Sequence, residues 1–244
     1  MIHWHIGCSG FHYKHWKGSF YPDDLAQTKW FDYYCQHFST LELNVTFYRF
    51  PRVAALRNWY KKTPADFRFA VKAPRLITHF KQFNNATEQI SDFYNTIRTG
   101  LDEKLGCALF QMPPKFSYSD ERLEKILKNL DSSFLNVVEF RHPSWWKEDV
   151  YKALAQKNIS FCGMSHPSLP KDIIANTPML YYRLHGEGQL YSSNYSDNEL
   201  ASFVTGIKKK DVVNEAYIFF NNDINTYAIY NSLTMKRLLD SKEH

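Results

Sequence analysis

Short runs rich in Val, Ile, Phe and Tyr alternate along the chain with longer segments whose apolar residues return at helical spacing. The pattern predicts strands at 2–7, 40–47, 67–73, 106–112, 136–141, 159–164, 179–185 and 216–221. It predicts helices at 29–38, 53–62, 87–100, 120–130, 147–157, 197–209 and 226–239, and none between strands six and seven, around 166–177. Asp120 ahead of a periodic apolar run reads as an N-cap, and Ser196 or Asp197 with Glu199 marks another helix start. Eight strands alternating with helices in 244 residues, with neither linker nor internal repeat, predict an α/β fold of the TIM-type (β/α)8 class, a single domain over 1–244 with a long first βα loop. A doubly wound sheet would call for a Gly-rich phosphate loop after an early strand, and GCSG at 7–10 matches that pattern poorly.

Composition narrows the class without naming a reaction. Hydrophobic residues at 44% and charged residues at 23% are those of a globular protein and exclude disordered and fibrous classes. A formal net charge of +5 suits an anionic ligand but does not demand nucleic acid or a membrane. Cys8, Cys35, Cys107 and Cys162 form no CxxC pair, and the N-terminus lacks the apolar stretch of a secretory signal, so a reduced, cytoplasmic protein is expected.

The informative polar residues sit late in the strands, where a (β/α)8 fold builds its active site. In TLELNVTF the polar face Glu42, Asn44 and Thr46 is expected inward; FRFAVKAP gives Lys72, ALFQMP gives Gln111, NVVEFRHP gives Glu139 and Arg141, and YYRLHG gives Tyr181, Arg183 and His185. Lys72, Arg141 and Arg183 outnumber Glu42 and Glu139, so a phosphate or carboxylate is the expected partner of the excess positive charge. Glu139, Glu42 and His185 are the candidates for proton transfer, and Asn44, Lys72, Gln111, Arg141, Arg183, Asn222 and Trp145 for substrate binding. Buried ion pairs that close a barrel without catalysing anything are the competing explanation. The aromatic, basic loop at 11–25, with Trp16, and the RHPSWW segment, with Trp145 and Trp146, are expected to rim the strand ends and to stack a ring, or else to pack the loops.

No HExxH is present and the histidines do not pair with carboxylates within one element, so no metal and no cofactor is expected. Cys8 could act as a thiol nucleophile but reads first as a small buried cysteine, and Lys72 among carboxylates reads as a retained charge rather than a Schiff-base amine.

The segments IGCSGFHYKHWKGSFYP, LELNVTFYRFP, FRFAVKAPRLITH, LFQMPPKF, VVEFRHPSWW, YYRLHGEGQLY and FFNND, in this order along nearly the whole chain, resemble the DUF72 or YecE-like family. The resemblance implies a TIM-type barrel and no established activity. It places the family's signature residues on Glu42, Asn44, Lys72, Gln111, Glu139, Arg141, Arg183, His185, Gly186 and Asn222. Phe11 and Asp223 depart from the family's usual Trp and His, and FFNN leaves open which of Asn221 and Asn222 faces the site. Three functions compete: an enzyme of acid/base chemistry on a small anionic substrate, a nucleic-acid-binding or endonuclease-like barrel, and a ligand-binding protein without turnover. The oligomeric state is left open.

Overall fold

The computed structural model describes residues 1–240. Eight strands alternate with helices: β1 (His3–Cys8), β2 (Thr40–Leu43), β3 (Arg68–Lys72), β4 (Leu105–Gln111), β5 (Asn136–Glu139), β6 (Ile159–Ser165), β7 (Met179–Leu184) and β8 (Glu215–Phe220). The helices are α1 (Trp30–Tyr34), α2 (Val45–Tyr48), α3 (Val53–Lys62), α4 (Thr87–Leu101), α5 (Asp120–Asn129), α6 (Glu148–Ala155), α7 (Asp197–Lys208) and α8 (Tyr227–Asp240). The sheet order β1-β8-β7-β6-β5-β4-β3-β2 is that of a (β/α)8, TIM-type fold, and a parallel bridge pairs Ser9 with Glu42. As the sequence pattern predicts, no helix stands between β6 and β7.

The chain divides into two compact units, one formed by Met1–Glu42 with Gly163–His244 and the other by Leu43–Cys162. In the first, β1 and β7 both run parallel to β8, with His3 beside Glu215 and Cys8 beside Phe220. Ser196 accepts from the Glu199 N–H while the Glu199 carboxylate accepts from the Ser196 N–H, a reciprocal cap that starts α7 sharply. In the second unit β3, β4 and β5 pair in parallel, and Gln111 lies level with Glu139. Burial of Ile90, Phe93 and Ile97 from α4, with Phe83 and Phe110, supplies an apolar layer, each such side chain worth about 1.5–3 kcal/mol.

Two local expectations are corrected. The cap of α5 is Ser119, whose hydroxyl accepts from Arg122 N–H, one residue before the expected Asp120. More consequentially, β2 ends at Leu43 rather than at 47. Asn44 leaves the extended conformation and the chain enters α2, with Thr46 Oγ1 donating to the carbonyls of Leu43 (2.9 Å) and Lys72 (2.6 Å). Asn44 and Thr46 therefore do not continue the alternation that Glu42 begins, because a hydroxyl-to-backbone bond to β3 wins over strand propensity.

Candidate functional site

In the first unit the polar residues collect around Glu42, which is fully buried. Arg183, two residues after Tyr181 on the same face of β7, grips it through both edges of its fork, with Nε donating to Oε2 at 2.9 Å and Nη2 to Oε1 at 2.7 Å. Tyr181 adds its hydroxyl to Oε2 at 2.6 Å. Arg183 also reaches Ser9 Oγ at 3.4 Å and His185 Nε2 at 3.4 Å. A guanidinium only donates, so in the contact with Arg183 it is Nε2 of His185 that accepts. The amide nitrogen of Asn221, Nδ2, lies 2.9 Å from Nδ1.

His185 closes just past the end of β7, where Gly186 at φ +100° turns the chain with Gln189 O only 2.7 Å from where a Cβ would stand. Tyr195 accepts the Gly186 N–H at 2.7 Å, and Tyr191, itself at φ +65°, donates its N–H to the His185 carbonyl. Three linked constraints on one turn fix the imidazole's position.

In the second unit Glu139, also fully buried, ends β5 and is paired with Arg141 Nε. Cys162 points its thiol at the other oxygen from 3.8 Å. Lys72 ends β3 with its Nζ 4.3 Å from the centre of the Phe47 ring, a cation–π contact. The same ring meets His79 edge-on at 4.9 Å, and His79 Nδ1 lies 2.9 Å from Thr78 Oγ1. Burial, reinforced by Lys72, Arg141 and Arg75 and opposed by Glu139, holds the His79 imidazole down at about 4, so it is neutral at pH 7. Gln111 is half-buried, and the Oδ1 of Asn44 is buried without a hydrogen-bond partner.

The predicted residues thus fall into two groups, Glu42, Arg183 and His185 in one unit and Lys72, Asn44, Gln111, Glu139 and Arg141 in the other. Two binding assignments are corrected. Trp145 is wholly buried, with Phe140 stacked at 3.9 Å, Phe116 at 5.6 Å and its indole N–H donated to the Phe116 carbonyl at 2.7 Å. With its ring stacked on Phe116 and Phe140, it packs the loop instead of stacking a ligand. Trp16 is likewise fully buried, its N–H on the Asp223 carbonyl. Asn222 turns its amide to Ser193 O (2.9 Å) and Asn231 Oδ1 (2.8 Å), so it is Asn221, not Asn222, that stands beside His185.

Cys8 is buried against Ser232, and burial pushes its thiol up to about 12, which removes it as a nucleophile. His79 went unmarked in the sequence, although a histidine four residues beyond Arg75 and seven beyond Lys72 is a visible signal of a ring set among cations.

Eight parallel strands with buried carboxylate–arginine pairs toward their C-terminal ends define a (β/α)8 protein with charged strand ends. The chain belongs to the family described as "Protein of unknown function DUF72", which matches residues 5–244. It is 23% identical over 261 residues to UPF0759 protein YunF of Bacillus subtilis (strain 168), covering 91% of this chain and 90% of that one. To UPF0759 protein YecE of Escherichia coli (strain K12) it is 26% identical over 155 residues, which span 63% of this chain and 55% of that protein. The crystal structure of a DUF72 family protein from Thermotoga maritima MSB8 superposes with a TM-score of 0.88 at 30% identity, covering 98% and 99% of the two chains. A DUF72 family protein from Enterococcus faecalis V583 gives 0.82 at 19% identity, covering 97% and 95%, a likeness of fold. Among the described residues no helix is long and apolar enough to cross a membrane.

Proposed function

We propose that the protein binds a small anionic compound, phosphorylated or carboxylated, at the C-terminal ends of β3 and β5, and acts on it by acid–base chemistry. The observation that carries this is the cluster at the ends of β3 and β5, where the Lys72 ammonium and the His79 ring meet on Phe47 and where Lys72, Arg141, Arg75 and Glu139 all act on that imidazole. Excess positive charge beside a half-buried ring is stabilised by an anion. Lys72 and Arg141 hold that anion, Gln111 and the unpartnered Asn44 amide oxygen hydrogen-bond the rest of the ligand, and Glu139 and neutral His79 exchange protons with it. Glu42, with both oxygens taken by Arg183 and Tyr181, is assigned to holding Arg183 in place rather than to proton transfer. His185, tied through Nδ1 to Asn221, keeps the capacity to carry a proton in its own cluster.

The test is a thermal-shift screen against phosphosugars, nucleotides, carboxylates and short DNA, on the wild type, Lys72→Ala and Glu139→Gln. A ligand at about 100 times its Kd adds roughly 2.7 kcal/mol. A small anion that stabilises the wild type, loses that effect in Lys72→Ala, and is turned over by the wild type but not by Glu139→Gln supports the proposal. Binding without turnover reduces it to a ligand-binding protein. Stabilisation by DNA alone, steeply weakened by salt, replaces it with a nucleic-acid reading. A shift retained in Lys72→Ala overturns it.

A further inference from the structure

The N-terminal ends of β1 and β8 carry a group of ligating side chains that the strand-end chemistry does not use. His3 and His5 lie two residues apart on β1 and so share a face, and the parallel register sets Glu215 of β8 directly beside His3. One ligand atom from each of His3, His5 and Glu215 lies within 4.8 Å of the others. The two imidazole centres are 4.5 Å apart, and His5 Nε2 is 3.0 Å from Glu215 Oε1.

We propose that His3, His5 and Glu215 form a binding site for a divalent transition-metal ion, with zinc the best match. Two imidazoles, which are borderline ligands, with one harder carboxylate oxygen make a set that zinc accepts, and three protein ligands leave one coordination position for water or an exogenous group. Atoms mutually within 4.8 Å share a centre at most about 2.8 Å from each, so closing to zinc bonds of about 2.0–2.2 Å needs shifts under about 1 Å.

The surroundings favour this. Tyr217 stacks on His5 at 4.2 Å and 13°, and its side chain hydrogen-bonds Glu215, so the buried ligand and the carboxylate are both oriented by one residue. Such outer partners are what hold metal-binding histidines in position. His3 is exposed, which gives an ion an entry path and gives the ring freedom to close. The expectation that no metal would bind weighed only histidine–carboxylate pairing within one element. Here the third ligand comes from strand register, which a sequence does not display.

The experiment uses chelator-treated full-length protein without a polyhistidine tag, titrated with Zn2+ against a competing indicator and with Co2+ followed by visible absorption. One equivalent of Zn2+ is expected, with the intense Co2+ bands of low coordination number and a rise in Tm on saturation. His3→Ala, which removes an exposed side chain and leaves the fold intact, and Glu215→Gln are each expected to weaken binding more than about 100-fold, beyond the 10–100-fold typical of outer-partner losses. Circular dichroism checks the fold of each variant. Absence of stoichiometric binding, or wild-type affinity in a folded His3→Ala, overturns the proposal.

Discussion

Glu42 and Glu139 occupy equivalent places, late in a strand and wholly buried, each facing an arginine, yet the two pairs differ in what surrounds them. Glu42 receives both edges of the Arg183 fork and a tyrosine hydroxyl, and Arg183 is itself 1% exposed. Glu139 is joined by Arg141 through Nε and by a weak thiol donor, in a neighbourhood where Lys72 and Arg75 add further positive charge. The first is the arrangement of a structural clamp, in which charge is matched and geometry is saturated. The second sets Lys72, Arg141, Arg75 and Glu139 around one imidazole, the arrangement on which the proposed anion site rests. Equivalent positions in a repeating fold are thus distinguished by charge balance, not by burial.

The comparison breaks most directly at the arginines. Arg183→Met should destabilise the protein by about 3–5 kcal/mol, because it leaves the Glu42 charge buried and unmatched. Arg141→Met should cost less, roughly 1–2 kcal/mol, since Lys72, which acts on the same His79 ring as Glu139, still offsets part of the carboxylate charge. Urea denaturation of the two variants measures both, and equal costs would erase the distinction. A Glu42→Leu/Arg183→Met double variant should recover much of the single-variant loss if the pair is a clamp, because apolar replacements of a buried pair are tolerated.

Much of this was legible in the chain and some of it was not, for reasons that can be named. The burial of Glu139, Arg183 and Lys72 late in their strands was legible because alternation in a strand covered on both faces turns such residues inward. Helix α3 runs over the predicted 53–62 because its apolar spacing, with no Gly or Pro inside, contends with nothing tertiary. The same alternation misled in TLELNVTF, where a Thr46 bond to the Lys72 carbonyl ends β2 early, a contact between residues 26 positions apart. Trp145 misled differently: an aromatic beside a charged motif looks the same in sequence whether it rims a site or, as here, stacks on Phe140. Asn221 and Asn222 could not be separated because FFNN carries no alternation, and tertiary partners, Ser193 and Asn231 for Asn222 and His185 for Asn221, decide them.

A second way to sharpen the comparison is pH. His79 titrates at about 4 in the folded protein against an ordinary 6.5, with burial the largest cause and Lys72 the next. Between these values the unfolded chain binds the proton and the folded one does not, so the contribution is fully present above pH 6.5 and is lost as pH falls toward 4. Discounted for the half-exposed ring, the loss is about 1–2 kcal/mol. Denaturant midpoints at pH 7 and pH 4.5 should converge in His79→Gln by that amount relative to the wild type; an unchanged pH dependence would show that other groups govern acid lability.

The smallest effect is the most discriminating, because its sign and not its size carries the answer. If excess charge defines the second cluster, the His79 ring is a reporter of it, with Lys72 and Glu139 the two largest charges acting on it and opposite in sign. Lys72→Met removes a cation and should raise the His79 pKa. Glu139→Gln removes the opposing anion and should lower it further. Each change is expected to be under about one pH unit, within reach of an NMR titration of the imidazole carbon-bound protons. Opposite shifts identify a local field that a ligand anion would also feel, so saturating wild-type protein with a bound phosphate or carboxylate should move His79 in the same direction as Lys72→Met. Shifts of one sign in both variants would mean that repacking around Phe47 sets the ring's environment, and the charge contrast between the two clusters would then have no electrostatic consequence.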